Sequence, residues 1–256
     1  MKGKYENFRG PTIIALIDIL GFSNLVKSNW NNEVYDPVDM LLGIRNNIEK
    51  VTEKPLSSLL VQESKEKLIE GGVKVITISD SFILLYGLEK TDKKIKYLNF
   101  VNGFYSIVEG IKTIWQDSIE AGFTIRGAIT VNEIYWDEKF NIIGPGLIEA
   151  YNIESKIAIT SRIIVSTTLQ KMLHKLLSDL NSEDFTKSIT KKMLKDADGQ
   201  IIIHPKPLLS EIESLETKIL KMASDAKNGE IQLKYISLLA NIDSINLLEL
   251  SDLDTK

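Results

Sequence analysis

Ile13-Ile14-Ala15-Leu16-Ile17-Asp18-Ile19-Leu20-Gly21-Phe22 decides the fold. Five apolar residues run into one carboxylate, resume briefly, break at a glycine and close on an aromatic ring. The run is of strand length and rich in isoleucine, so it predicts a buried β-strand over 12–19. Asp18 then stands near the strand's end, where a carboxylate is costly unless something positive meets it. Gly21 supplies a backbone position that a side chain would block.

Outward from this strand, Asp36-Pro37 has the form of a helix cap followed by proline at the first helical position. Leu41, Ile44, Ile48 and Val51 continue it as an amphipathic helix that Pro55 breaks. Residues 56–70 form a further helical or looped segment, closed by Gly71-Gly72. Two β-rich runs, 73–78 and 82–86, flank Ser79-Asp80-Ser81 and predict a hairpin with Asp80 at its tip. A long helix over 93–120 follows, with Val101, Tyr105, Val108, Ile111, Trp115 and Ile119 as its apolar stripe and Gly122 as its stop. The strand region 123–136 carries Arg126, and a turn near Asn132 would split it into a hairpin. Gly144-Pro145-Gly146 leads into a helix over 147–157, a short strand over 162–166, and a helix marked by Leu169, Met172, Leu173, Leu176 and Leu177. Residues 181–197 are polar and lysine-rich, a surface helix or loop. A strand over 199–204 ends at Pro205, and two helices between 208 and 250 break around Asn228-Gly229. The order β, α, hairpin, α, β predicts an α+β fold, a ferredoxin-like βαββαβ core of mostly antiparallel sheet flanked by helices. The main domain is expected over 1–204, with 205–256 a C-terminal helical extension packed on it.

Composition narrows the chemistry. The chain has 256 residues, 43% of them apolar, and a net charge of −4. A broad nucleic-acid or anionic-membrane face wants basic residues, so neither partner is expected. The absence of cysteine rules out disulfides, thiolate zinc sites and thiol catalysis, and it fits a reducing cytoplasm. No stretch has the length of a transmembrane helix, and the polar residues 1–11 do not read as a signal peptide. The two histidines, His174 and His204, stand far apart, which disfavours histidine-based metal or triad chemistry.

In a βαββαβ core the first strand and the central hairpin are neighbours, so Asp18 and Asp80 can meet. Either alone is a cap or a turn residue. As a pair in apolar strands they call for a divalent cation, and hard oxygen ligands select Mg or Mn. Two such ions make a site for displacement at phosphorus. Arg126 either neutralises these carboxylates, faces a phosphate, or is an edge-strand arginine in water. Tyr135 and Trp136 offer rings for a base, although strand aromatics are more often core. Gly144-Pro145-Gly146 resembles an anion-binding helix start, with a structural turn the commoner reading. No phosphate-loop lysine motif and no Gly-x-Ser-x-Gly elbow occurs.

At these residues the chain resembles the class III nucleotide cyclases. Asp18-Ile-Leu-Gly-Phe22 is similar to the family's Asp-Ile-x-Gly-Phe metal motif, and Val75-Ile-Thr-Ile-Ser-Asp80 to the segment with its second metal aspartate. Ile125-Arg-Gly-Ala-Ile-Thr resembles the Arg-x-Gly-Ile-His strand, and 144–155 with 162–166 resemble the late helix and strand. The likeness covers about 11–167 and implies a catalytic domain within 1–204. It implies two Mn or Mg ions held by Asp18, Asp80 and the backbone carbonyl of Ile19. It also implies a homodimer with the site between protomers, in which Arg126 acts as a catalytic residue, for its own or the partner's metals.

Several positions depart from the family. Ile76 stands where purine cyclases place a base-reading Lys or Glu, and Ile148 and Asn152 stand where the transition-state Asn and Arg fall. Ser79 replaces a glycine. The Gly-x-Gly-x-x-Glu-Ala-Tyr pattern, with Arg126 followed nine positions later by Tyr135, resembles the pyrimidine cyclases of the Pycsar anti-phage systems. That resemblance implies a cytoplasmic enzyme making cyclic UMP, or cyclic CMP, from UTP or CTP. Arg126, Tyr135 and Ile76 would line the base, and the product would activate a separate effector protein. The alternatives are a purine cyclase with unconventional base contacts, a catalytically dead nucleotide- or partner-binding module, and a palm-type nucleotidyl transferase.

Overall fold

A computed structural model describes residues 7–30, 36–52, 72–88, 93–226, 228–244 and 248–254. The first strand, β1 (Phe8–Leu20), is longer than its apolar run and lies at the centre of the sheet. Gly21, at φ 93°, turns the chain sharply into α1 (Phe22–Asn29), a helix with no clear signal in the sequence. Next comes α2 (Pro37–Thr52), whose first turn is capped as expected: the Asp36 carboxylate accepts from the Val38 N–H at 2.7 Å. The expected segment 56–70 lies outside the described residues.

The hairpin forms from β2 (Lys74–Ile78) and β3 (Ser81–Gly87), with Ser79 and Asp80 as the turn. Then α3 (Lys93–Glu120) runs into β4 (Thr124–Trp136). The sheet order β2-β3-β1-β4, all antiparallel, is the ferredoxin-like arrangement. The expected turn near Asn132 does not occur: β4 pairs with β1 without a break from Thr124 to Trp136. Asn132 stays in the strand because its side chain amide donates to Glu149 of the covering helix at 2.9 Å.

A short β5 (Ile142–Ile143) leads into α4 (Pro145–Lys156). The sheet then extends beyond β4 through β6 (Ile163–Val165), parallel to β4. After α5 (Thr167–Leu180) and α6 (Glu183–Thr190), β7 (Met193–Lys195) and β8 (Ile201–Ile203) complete it. The stretch 181–197 is therefore not wholly surface: Met193 and Leu194 are buried in β7. Pro205 does more than end a strand, since it occupies the first turn of α7 (Pro205–Leu209). The chain closes with α8 (Leu215–Asp225), α9 (Gly229–Asp243) and a 3-10 turn at Leu250–Leu253.

Alternation along β1 sends Ile13, Ala15, Ile17 and Ile19 to the face under α2 and α3. Ile14 and Leu16 go to the face under α4, in a second cluster with Ile76, Ile83 and Leu85. Both faces are covered, which is why the run is apolar without interruption. The helices after residue 204 share the first cluster through Leu208, Ile219, Leu238 and Leu253, and Gln116 of α3 donates to the Leu208 carbonyl at 2.9 Å.

Two consequences concern stability. A β-carbon at Gly127 of β4 would lie 2.3 Å from the Leu16 carbonyl oxygen on the neighbouring strand. Backbone cannot yield there as a flexible side chain would, so Gly127→Ala should cost at least about 1–3 kcal/mol. Urea unfolding should show this as a lower midpoint; an unchanged midpoint would contradict the close strand approach. His204, buried at the start of α7, has its pKa lowered by burial and then by Lys206. Its folded value lies below 6.5, so the unfolded chain binds the proton first. Its contribution is intact above pH 6.5 and is lost as pH falls toward and through the folded value. The melting temperature of His204→Gln should fall less steeply over that range than that of the parent, and parallel curves would count against this assignment.

Candidate active site

Asp18 and Arg126 face each other across β1 and β4 as register partners, two residues from the end of the pairing at Leu20 and Thr124. The guanidinium Nε donates to Asp18 Oδ2 at 3.1 Å. Asp18 also has Ser81 opposite it on β3, whose hydroxyl donates to Oδ1 at 3.4 Å. The hairpin tip is tied to the same place: the Ile19 N–H donates to the Asp80 carbonyl at 3.1 Å. The two aspartates and the arginine singled out in the sequence therefore converge at one end of the central strands.

A fourth group completes the arrangement, and sequence reasoning gave it no role. Glu154, in the last turn of α4, forms a 2.8 Å ion pair with Arg126 through the other side of the guanidinium. It is 6% exposed. Gly146 and Ala150 stand eight and four residues before it on the same helix face, and both are buried. A β-carbon at Gly146 would lie 2.2 Å from Ile14 Cδ1, so the small residues let α4 sit close enough for Glu154 to reach the sheet. Small, small, acid at four-residue spacing is the signal that could have found it. The Gly144-Pro145-Gly146 start is accordingly a packing device: a β-carbon at Gly144 would lie 2.7 Å from the Glu133 carbonyl oxygen.

The charges do not balance. Among the described residues, Asp18 and Glu154 share one guanidinium, and the charge of Asp80 acts on both acids. Burial raises the pKa of Asp18; hydrogen bonding and charge from Arg126 oppose the rise, and Asp80 adds to it. Burial also raises that of Glu154, against Arg126 and with help from Asp18 and Asp80. Burial makes the charged form of both acids costly, and a further cation would relieve that cost. Among the described residues no three His, Cys, Asp or Glu side chains form a ready metal cage. The oxygens of Asp18 and Asp80 with the Ile19 carbonyl are nonetheless the hard donors that Mg or Mn takes.

The remaining predicted residues lie elsewhere. Ile76 is on the same sheet face as Asp18, two strands over, and is buried in the apolar cluster under α4. Trp136 is core, stacked on Phe8 with ring centroids 4.4 Å apart. Tyr135 pairs with Arg9 at the far end of β1, and its hydroxyl donates to Asp137 at 3.4 Å. Nine residues of unbroken strand separate Tyr135 from Arg126, about 30 Å. The odd spacing puts them on opposite faces, so within one chain they do not meet. Ile148 and Tyr151 on the outer face of α4 are 63% and 59% exposed.

No protein-family model matches this chain, and no curated protein does. Solved structures do. The chain is similar to the monomeric guanylyl cyclase domain of the RhoGC fusion protein from the aquatic fungus Blastocladiella emersonii, at 12% identity over 77% of this chain and 94% of that one, with a TM-score of 0.45. It is similar to the catalytic core of a rhodopsin-guanylyl cyclase with converted specificity, solved with ATPαS, at 16% identity over 66% and 84%, TM-score 0.42. It is also similar to a class III adenylyl cyclase-like ATP-binding protein from Pseudomonas aeruginosa, at 16% identity over 72% and 40%, TM-score 0.42. No described helix is long and apolar enough to cross a membrane.

Proposed function

We propose that this chain is a nucleotide cyclase that converts UTP, or CTP, to the 3′,5′-cyclic nucleotide and pyrophosphate. What supports this most is the convergence of Asp18 and Asp80 with Arg126 at the end of the central antiparallel strands. Asp18, Asp80 and the Ile19 carbonyl would hold two Mn or Mg ions. When bound, these ions supply acidification of the ribose 3′-hydroxyl and neutralisation of the triphosphate. The protein's own part is placement. Asp18 is fixed by the β1 register and by Ser81. Arg126 presents a cation beside it, suited to an equatorial phosphate oxygen. Ile76, at the position where purine cyclases place a base-reading Lys or Glu, has no polar side-chain atom and is buried, so it offers a purine edge no hydrogen bond.

Tyr135 lies too far along β4 to serve the Asp18 site of its own chain. The active unit is therefore a homodimer in which Tyr135 of one protomer lines the base pocket of the other. The enzyme works in the cytoplasm, and its product activates a separate effector protein in anti-phage defence. A non-catalytic, nucleotide-binding module is the second reading, and exposed Ile148 at the place of the transition-state asparagine favours it. Incubation of the full chain with each nucleoside triphosphate singly and Mn distinguishes the two. Pyrophosphate released together with a cyclic nucleotide supports the enzyme, whereas binding without either product supports the module.

A further inference from the structure

Arg126 has acidic partners on two different elements, Asp18 of β1 at 3.1 Å and Glu154 of α4 at 2.8 Å. The two partners differ in what else they have. Asp18 has the Ser81 hydroxyl and stands beside Asp80, so it is the group an incoming cation would take. Glu154 Oε1 is buried, and among the described residues no hydrogen-bond donor is aligned on it. Among the described residues its charge is met by Arg126 alone. Among the described residues, one guanidinium thus bridges a carboxylate with other partners and a carboxylate with no other.

We propose that Glu154 is a positioning residue that anchors Arg126 while a divalent ion takes Asp18. The ion and the guanidinium then share the site instead of competing for one carboxylate. Arg126 gives up Asp18, keeps Glu154, and stays beside the reacting phosphates with its charge in place. Without Glu154, Arg126 has only Asp18 as an ion-pair partner among the described residues, and the ion must displace it. This inference rests on the reading of Asp18 and Asp80 as cation ligands given above.

The test is a double-mutant cycle on Mn binding to the full chain without nucleotide, read from the paramagnetic resonance signal of the free ion. The chains are the parent, Glu154→Gln, Arg126→Gln and the double variant. Glu154→Gln should weaken Mn binding about tenfold while Arg126 is present, and less than about twofold once Arg126 is glutamine. An equal loss in both backgrounds overturns the proposal, because Glu154 is then an ion ligand in its own right. No loss in either background overturns it too. If Glu154→Gln does not give a cooperative melt, Glu154→Leu fills the same space without charge and takes its place in the cycle. A chain that gives the expected cycle yet cyclises no nucleotide keeps this proposal and loses the functional reading. A parent chain that binds no Mn loses both.

Discussion

Asp18→Ala is expected to lower turnover by about a thousandfold or more while leaving the chain folded, and Asp80→Ala likewise. If Asp18 and Asp80 hold the ions as proposed, removing either carboxylate forfeits several kcal/mol of transition-state stabilisation, and about 4 kcal/mol is already a thousandfold. The fold should survive because Asp18 does not hold the sheet together. Its neighbours Ile17 and Ile19 carry the buried contacts, whereas burial makes its own charge costly. Its loss also relieves repulsion with Asp80 and leaves Arg126 paired with Glu154. Product assay and calorimetry on the same samples check both halves. Near-full activity in either variant would show that the ions are held elsewhere.

The second large effect concerns the proposed sharing of the site between two protomers. Tyr135→Ala should lower turnover by about ten- to a hundredfold, the scale of a lost ring contact to a base. Mixed with Asp18→Ala, it should regain part of the activity, since a mixed dimer joins an intact Asp18 end from one chain to an intact Tyr135 from the other. Asp18→Ala mixed with Arg126→Ala should regain nothing, because those residues touch within one chain and no mixed dimer restores both to one site. Light scattering should report about twice 28.8 kDa. Activity from a monomer, or rescue by the Arg126 pair, would break this account of the dimer.

Much of this arrangement is legible in the chain. The isoleucine run gives the central strand, the two β-rich runs around Asp80 give the hairpin, and the stripe from Val101 to Ile119 gives a helix that the structure ends where the sequence does, at Glu120. With βαββαβ order these place Asp18 beside Asp80. The long-range packing is less legible. Asn132 looks like a turn residue because asparagine commonly is one; it stays in β4 because α4, folded from residues further on, supplies a partner. The polar run 181–197 hides β7, whose three residues are too few to show a period. Glu154 falls in a helix whose outer face carries exposed Ile148 and Tyr151, so apolar periodicity points the wrong way. Its role depends on how closely Gly146 lets the helix approach the sheet, a distance that local propensity does not encode. That Arg126 and Tyr135 do not meet within one chain has the opposite reason: nine positions looks near in sequence, but in an unbroken strand it is about 30 Å and the other face.

The most direct measurement is a competition. The parent chain is given equal concentrations of ATP, GTP, CTP and UTP with Mn, and the products are identified by mass spectrometry. The account predicts a cyclic pyrimidine nucleotide as the main product, cyclic UMP ahead of cyclic CMP. Cyclic AMP or cyclic GMP as the main product, or no cyclic nucleotide from any of the four, would contradict it.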